Sequence, residues 1–217
     1  MKKKSFRSPI TLTNFTESQQ AAVARLAAAA QNFCALYDQP PEDPAQALSF
    51  LHRSLAELYA AAVASPSTSC AHLSRHQRKI MRDTAEYRLN VSLKEERSQK
   101  HILDIIYEAM GSPYYHMVFD VISDSEAITS GLFEDISSIH HDLGEGLYLW
   151  ELHQTQLAWH DWRMSFMIHW HQHATGALCY LQEAAVRMEN ANDPDEPLTL
   201  RQILGRGLMT GAMFHDR

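Results

Sequence analysis

A chain of 217 residues with 45% hydrophobic and 21% charged residues has the composition of one globular domain, and this length suffices to bury a core without disulfides. It contains only 8 glycines and 8 prolines, which is too few for an all-β or loop-rich protein and favours long helices. The formal charge of −7 argues against sequence-independent nucleic-acid binding, because neutralising phosphates requires an excess of lysine and arginine. One basic stretch at 75–82 is the exception, and such a run is more often a solvated helix face.

Cysteine usage and the first residues of the chain indicate a cytoplasmic protein. The three cysteines, Cys34, Cys70 and Cys179, are odd in number and far apart, which is not the pattern of a disulfide framework. The opening residues are basic but lack the apolar run of a secretory signal. The alanine-rich stretches at 21–30 and 55–64 are interrupted by charges and are too short to span a bilayer. We therefore expect no membrane partner.

The first two predicted helices form an antiparallel pair. Thr16 is a typical N-cap residue, and the apolar stripe that follows it predicts a helix from about residue 16 to 37. Asp43 caps a second helix with Pro44 in its first turn, and this helix ends near Pro66. Because the connection is short, the two helices are expected to pack side by side.

The middle of the chain is less regular. A short helix is predicted at 74–85, and a longer one, opened by a capping box, is predicted at 92–110. The aromatic stretch 114–119 has the composition of a strand, but a lone strand has nothing to pair with. We therefore expect an aromatic plug against the bundle there, followed by an acidic loop at 120–126.

Two long helical segments follow, at 130–152 and from 157 to about 189, joined near residues 153–155. A last amphipathic stretch is predicted at 198–208. Together these elements predict an all-α fold, in which a single helical domain spanning residues 1–217 forms a bundle of six or seven mostly antiparallel helices.

The second long helix carries a wide aromatic face. At 100° per residue, its aromatic and histidine side chains fall within an arc of about 80°. The residues on this face are Trp159, Trp162, Phe166, Trp170 and His173, with His169 at its edge. Such a stripe is typical of a packed core in which ring nitrogens bond to buried carboxylates or carbonyls.

Polar residues of the two long helices are expected to meet beside this aromatic face. Asp135 and Asp142 are seven residues apart and lie on one side of the first long helix. We predict that Arg163 binds one of these carboxylates and that His169 or His173 binds the other. The predicted structural or binding network comprises Asp135, Asp142, Trp162, Arg163, His169, Trp170 and His173.

The same residues are compatible with a metal site. His169 and His173 are four residues apart, so both imidazoles can reach one ion. Asp135 and Asp142 from the facing helix can complete the ligand shell, and this set suits a divalent transition metal. No Glu lies between the two histidines in the zinc-protease arrangement, and the repeated Glu-x-x-His signature of di-iron bundles is missing.

Positions in these helices also match a known family pattern. One block comprises Asp135, Ile139, Asp142, Leu143, Gly146 and Leu147, and the next comprises Trp162, Arg163, Phe166, His169, Trp170 and His173. Upstream positions are Phe50, residues 55–62, Gly111, Tyr115, Phe119 and Asp120. The chain resembles a family of uncharacterised bacterial proteins, domain of unknown function 5063, over about residues 48–184.

The resemblance implies an all-helical fold and a bacterial source, and it implies no reaction. An N-terminal helix at about 16–38 and a C-terminal extension at about 190–217 lie outside the resembling core. Gln172 stands where the family pattern has glycine.

Two hypotheses about function follow. The first is a non-catalytic cytoplasmic interaction or scaffold protein, acting through a protein partner or as a homodimer, whose buried network fixes the helix register. The second is a metal-binding protein or metal-dependent enzyme with its site between two helices. A structural network should be dry, with every donor paired, whereas a metal site needs an open position. The interaction hypothesis also predicts an exposed apolar patch.

Overall fold

The computed structural model describes residues 15–66, 75–76, 78–83, 112, 114–117 and 128–191. Of these residues 83% are helical, which confirms the predicted all-α fold. The helices are α1 (Glu17–Asp38), α2 (Pro44–Val63), α3 (Leu132–Glu151), α4 (Thr155–Ser165) and α5 (His171–Ala191), and the strands are β1 (Tyr114–Met117) and β2 (Ile128–Gly131). Over the described residues the bundle therefore has five helices, not the six or seven predicted.

Part of this difference falls on residues that the structure does not describe. The helices predicted at 92–110 and 198–208 lie outside the described residues. Residues 78–83 are helical and lie within the short helix predicted at 74–85. Within the described ranges, no helix combines the length and the apolar character needed to cross a bilayer.

The N-terminal helices begin at the capping residues that the sequence indicates. The Thr16 hydroxyl accepts a hydrogen bond from the Gln19 backbone N–H at 3.3 Å, and the Gln19 side chain accepts one from the Thr16 N–H at 2.9 Å. This reciprocal pair satisfies two N–H groups that the first turn of a helix leaves open. Asp43 caps α2 with a single hydrogen bond, accepting from the Gln46 N–H at 2.7 Å.

One hydrophobic core joins the five helices. α3 packs against α1, α4 and α5, and α5 also contacts α2. The largest fully buried side chains are Trp162, Trp170, Tyr37, Phe33, Leu26, Leu51, Leu55, Leu58, Leu132, Ile136 and Ile139. This packing holds α3 beside α5, so polar residues at the margin of that contact face one another.

α3 and α4 approach each other closely at Gly146. A Cβ atom on this residue would overlap the indole ring of Trp162. The Trp162 Nε1–H donates to the Leu143 carbonyl at 3.0 Å, which satisfies the buried ring nitrogen. The turn between the two helices contains His153 at φ 56° and lies where the sequence predicted the junction.

A π-helical turn connects α4 with α5. The turn covers Phe166–Trp170, and Nδ1 of His171 donates to the Phe166 carbonyl at 2.8 Å. A π turn accommodates an extra residue relative to an α turn, and such turns are frequent at functional sites. The sequence predicted one continuous helix here, so the π turn is the new element.

A two-stranded antiparallel hairpin precedes α3. β1 and β2 pair with Tyr115 opposite Ser130, and β2 runs directly into α3. The prediction of an unpaired aromatic plug is therefore wrong for residues 114–117. β2 has only four residues, two of which the sequence pattern had merged into the following helix, so the partner of β1 was not recognised.

Candidate functional site

Two aspartate–histidine pairs connect α3 with the π turn and α5. Nδ1 of His169 lies 2.7 Å from Oδ2 of Asp142. Nδ1 of His173 lies 2.7 Å from Oδ1 of Asp135. The sequence predicted that one histidine would bind one of these carboxylates, and in the structure both histidines do so.

These contacts orient the histidine pair, His169 and His173. A carboxylate only accepts hydrogen bonds, so each Nδ1 must carry a proton and donate it. The Nε2 atoms of the pair lie 3.2 Å apart. Two bare lone pairs repel at this distance and two N–H groups would collide, so the contact requires a single proton or a cation that both nitrogens bind.

The two rings of the histidine pair are inclined to each other. The ring centroids are only 4.7 Å apart with an interplanar angle of 76°, so the rings are inclined to the line that joins their Nε2 atoms. The Nε2–Nε2 distance of 3.2 Å is also at the long end of the usual hydrogen-bond range. A cation beside that line fits this arrangement.

The interior end of the site is Asp135, which is 1% exposed. Its carboxylate accepts hydrogen bonds from the Tyr115 hydroxyl and from the Ser130 hydroxyl, the latter at 3.1 Å. Burial, reinforced by the hydrogen bond to Asp135, raises the pKa of Tyr115, so its hydroxyl stays protonated and acts as a donor. With His173, three donors converge on this carboxylate.

The other end of the site is open to solvent. The side chain of His169 is 50% exposed, whereas those of His173 and Asp142 are 19% and 16% exposed. A purely structural network was expected to be dry, with every donor paired, and only the surroundings of Asp135 have this character. At His169 the network has the accessible position that a ligand site requires.

Asp161 on α4 lies near this end of the site, where the charges of Asp142 and Glu145 act on it. Its Oδ2 atom is buried and has no hydrogen-bond partner among the described residues. Burial, followed by the negative charges of Glu145 and Asp142, raises the pKa of Asp161 to about 8, although a hydrogen bond from the Gly146 backbone acts in the opposite direction. The fold therefore keeps the Asp161 carboxyl protonated near neutral pH, beside the carboxylates of Asp142 and Glu145.

Arg163 does not bind either predicted carboxylate. Its Nη1 donates to the Ala62 carbonyl at 3.4 Å, and its guanidinium lies 6.0 Å from the ring centroid of Phe166. The prediction of an arginine–aspartate pair is corrected accordingly. The carbonyls in the last turn of α2 carry partial negative charge, and this helix end attracts the guanidinium instead.

The aromatic face is core. Trp162 and Trp170 are both 0% exposed, and Trp159 donates to the Ser65 hydroxyl at 3.0 Å. The Phe166 and Trp170 rings pack edge to face at 4.6 Å. The two tryptophans of the predicted network therefore hold the π turn and α4 in the bundle, and their rings take no part in the polar site.

The four predicted metal ligands do not surround one point. Asp135 and Asp142 lie on the Nδ1 side of the imidazoles, so they orient the histidine pair rather than reach the same ion. Over the described ranges, no group of three or more His, Cys, Asp or Glu side chains is arranged to hold a metal ion. The two Nε2 nitrogens face each other on the opposite side of the rings.

Sequence reasoning missed Tyr115, Ser130 and Asp161. Tyr115 was noted only as a position of the family pattern, and nothing in its surroundings in the sequence connects it with Asp135. Hydroxyl groups on a hairpin gain this role only through strand pairing and docking, which are long-range contacts. Asp161 stands between His160 and Trp162 and carries no motif that marks it as buried.

Comparison with known proteins returns one family. The model of the family described as Domain of unknown function (DUF5063) matches residues 17–187, a range that includes all of α1. No curated protein and no solved structure matches the chain.

Proposed function

Because the chain belongs to the family of domain of unknown function 5063, whose description states no activity, we propose a function from the site itself: the protein binds one divalent transition metal ion. The ligands are Nε2 of His169 and Nε2 of His173. The observation that carries this proposal is the 3.2 Å separation of these two nitrogens, with a carboxylate on the Nδ1 of each ring.

The spacing of the histidine pair suits a metal ion. With metal–nitrogen bonds of about 2.0–2.1 Å, a 3.2 Å separation corresponds to a nitrogen–metal–nitrogen angle of about 100°, close to tetrahedral. Imidazole is a preferred ligand of zinc, copper, nickel and iron. A carboxylate that accepts from the other ring nitrogen is the usual outer partner of a metal-binding histidine, since it fixes the tautomer and raises ligand basicity.

The exposure of His169 supports an open site rather than a closed structural one. Structural zinc sites use four protein ligands, whereas sites that exchange water or substrate keep a position free. The half-exposed imidazole leaves the remaining coordination positions to water or to a small ligand. The proposal is therefore of metal binding, without an assigned reaction.

A metal titration tests this proposal. Untagged protein is titrated with zinc by calorimetry, and the purified protein is analysed for metal content. We expect about one ion per chain in the wild type and none in the His169→Ala/His173→Ala double variant. The control is His141→Ala, which removes an exposed histidine of α3 and should leave binding unchanged. Absence of zinc binding by the wild type, or its persistence in the double variant, would disprove the proposal.

A specific surface feature favours a second candidate function, that of a non-catalytic interaction protein. Met167 and Ile168, on the π turn beside His169, are 54% and 70% exposed. Large apolar side chains presented together on the surface are typical of association sites. The occupant that we propose is a second copy of this chain, because two-fold pairing is the commonest way for such a surface to cover itself. We propose no nucleic-acid partner, which the net charge of −7 supports, and no membrane partner.

We further propose that the protein acts in the cytoplasm of a bacterium. Cys34 is buried and Cys179 is exposed, and the two form no disulfide within the described part of the chain, as is usual in reducing compartments. The bacterial source rests on the family resemblance.

A further inference from the structure

We infer that a cleft between α1 and α2 binds a small zwitterionic molecule with an apolar side chain, such as a free amino acid. The ligand carboxylate binds Arg53, its ammonium group binds Glu57, and its side chain packs on the Phe50 ring. The cleft shares no residue with the histidine pair, so the inference does not depend on the proposed metal binding.

The cleft between α1 and α2 has a volume of about 250 Å³. Pockets for drug-sized molecules measure about 300–1,000 Å³, so this cleft suits a smaller molecule. It combines apolar side chains with a guanidinium, a carboxylate, a hydroxyl and an amide, and a few polar groups among apolar ones are what fix a bound molecule's orientation. Its lining residues come from the second half of α1 and the middle of α2: Asn32, Leu36, Phe50, Arg53, Ser54 and Glu57.

The two charged residues of the cleft do not neutralise each other. Arg53 and Glu57 are four residues apart on α2, a spacing at which opposite charges can pair, although acid before base is the better order. Neither forms an ion pair within the described part of the chain, so their charged atoms are more than 4.0 Å apart. The Arg53 guanidinium instead lies 5.2 Å from the centroid of the Phe50 ring. The cleft therefore presents one positive and one negative group, each open to a ligand.

A ligand that carries both charges fits this arrangement. A carboxylate accepts hydrogen bonds from the planar guanidinium, and an ammonium group donates to a carboxylate. A ligand with a single charge is attracted by one of the two residues and repelled by the other. A zwitterion is attracted by both, which is why the charges of the cleft favour it.

Two further features of the cleft support an occupant. Phe50 is 42% exposed, so its ring is available to an apolar side chain beside the guanidinium. Oγ of Ser54 is buried and has no hydrogen-bond partner among the described residues. Unpaired buried polar groups are uncommon in folded proteins, and departures of this kind concentrate at functional sites.

The test measures binding of L-phenylalanine and L-leucine to the untagged protein by calorimetry. Two analogues of phenylalanine separate its charges, because 3-phenylpropionate lacks the ammonium group and 2-phenylethylamine lacks the carboxylate. We expect the amino acids to bind saturably and each analogue to bind at least about tenfold more weakly than phenylalanine, the loss expected for one charged hydrogen bond.

Two variants assign the binding to the cleft. Arg53→Met keeps the apolar stem of the side chain, and Glu57→Gln keeps its shape. Each removes one charge and should weaken phenylalanine binding about tenfold or more. The matched control is Arg25→Met, which changes an exposed arginine of α1 outside the cleft and should leave the affinity unchanged. Because all three positions are exposed, we expect the melting temperatures of the variants to match that of the wild type.

The outcomes separate the zwitterion from other occupants. Saturable binding of an amino acid that Arg53→Met and Glu57→Gln weaken, with Arg25→Met unaffected, supports the inference. It is overturned if neither amino acid binds, or if the two cleft variants bind as tightly as the wild type. An analogue that binds as tightly as phenylalanine would also overturn it, since a simple carboxylate or amine would then be the ligand. None of these results bears on zinc binding, which is tested through His169 and His173.

Discussion

Asp161 carries a carboxyl group that the fold holds protonated near neutral pH. Burial is the main cause, and the neighbouring charges of Glu145 and Asp142 add to it, so its pKa rises from 3.8 to about 8. The unfolded chain has no such environment and loses this proton near pH 4. Between about pH 4 and about pH 8, the folded state binds a proton that the unfolded state does not. The free energy of unfolding therefore depends on pH in this range.

The stability that Asp161 contributes falls as the pH rises. A raised carboxyl pKa in the folded state contributes stability that is present in full below about pH 4 and is lost as the pH rises toward about 8. Asp161→Asn mimics the protonated form at every pH. We therefore expect the variant to unfold at higher urea concentration than the wild type at pH 8 and to match it near pH 4. The slope from this one group is at most about 1.4 kcal/mol per pH unit.

The control for this prediction is Asp83→Asn, which neutralises an exposed carboxylate paired with Lys79. Exposed pairs of this kind contribute little, so its stability should follow that of the wild type across the range. Equal urea midpoints for Asp161→Asn and the wild type at pH 8 would contradict the prediction, because ionisation of the Asp161 carboxyl would then not destabilise the folded state.

Among the elements, those with local signals were predictable and those with long-range partners were not. α1 and α2 begin at Thr16 and Asp43 because side-chain caps act within three residues of themselves. β1 could not be assigned, since its partner lies beyond a segment of ten residues and is itself only four residues long. The π turn was missed because the apolar spacing of Phe166 and Trp170 fits a regular helix equally well.

The candidate site shows the same difference between local features, which the sequence predicts, and long-range contacts, which it does not. Helical spacing brought His169 and His173 to one face and Asp135 and Asp142 to another, and packing of α3 against α5 joins them. Spacing alone could not show that the carboxylates meet Nδ1 rather than a shared ion. Nor could it show that Arg163 reaches the Ala62 carbonyl, which lies 101 residues away in the chain.

The close contact between α3 and α4 makes Gly146 a sensitive position. In Gly146→Ala the new methyl group would overlap the Trp162 indole, which is fully buried and cannot move aside. Overpacking of this kind costs about 1–3 kcal/mol, and we expect a loss of that size in urea unfolding. At Gly131 an added Cβ meets only atoms 3.4 Å or more away, so Gly131→Ala should cost less than about 1 kcal/mol. Comparable losses for both variants would contradict this account of the interface.

At the scale of the whole molecule, the exposed apolar surface of the π turn predicts self-association. We expect the wild type to sediment as a dimer at micromolar concentration and Met167→Ser/Ile168→Ser to sediment as a monomer, because the substitutions remove the apolar surface that a second copy would cover. Val186→Ser, which changes an exposed apolar residue on α5 away from the turn, should remain a dimer. A wild type that stays monomeric at all concentrations would rule out the homodimer.

The continuity of α4, the π turn and α5 has a mechanical consequence. His169 is the penultimate residue of the turn, and His173 lies in the first turn of α5, so both ligands of the proposed ion belong to a single rod. An ion held there would not tie two helices together. It would link two successive turns of the same continuous helix at the point where the π-helical hydrogen bonds give way to α-helical ones. The ion would therefore stiffen the helix against bending at that point.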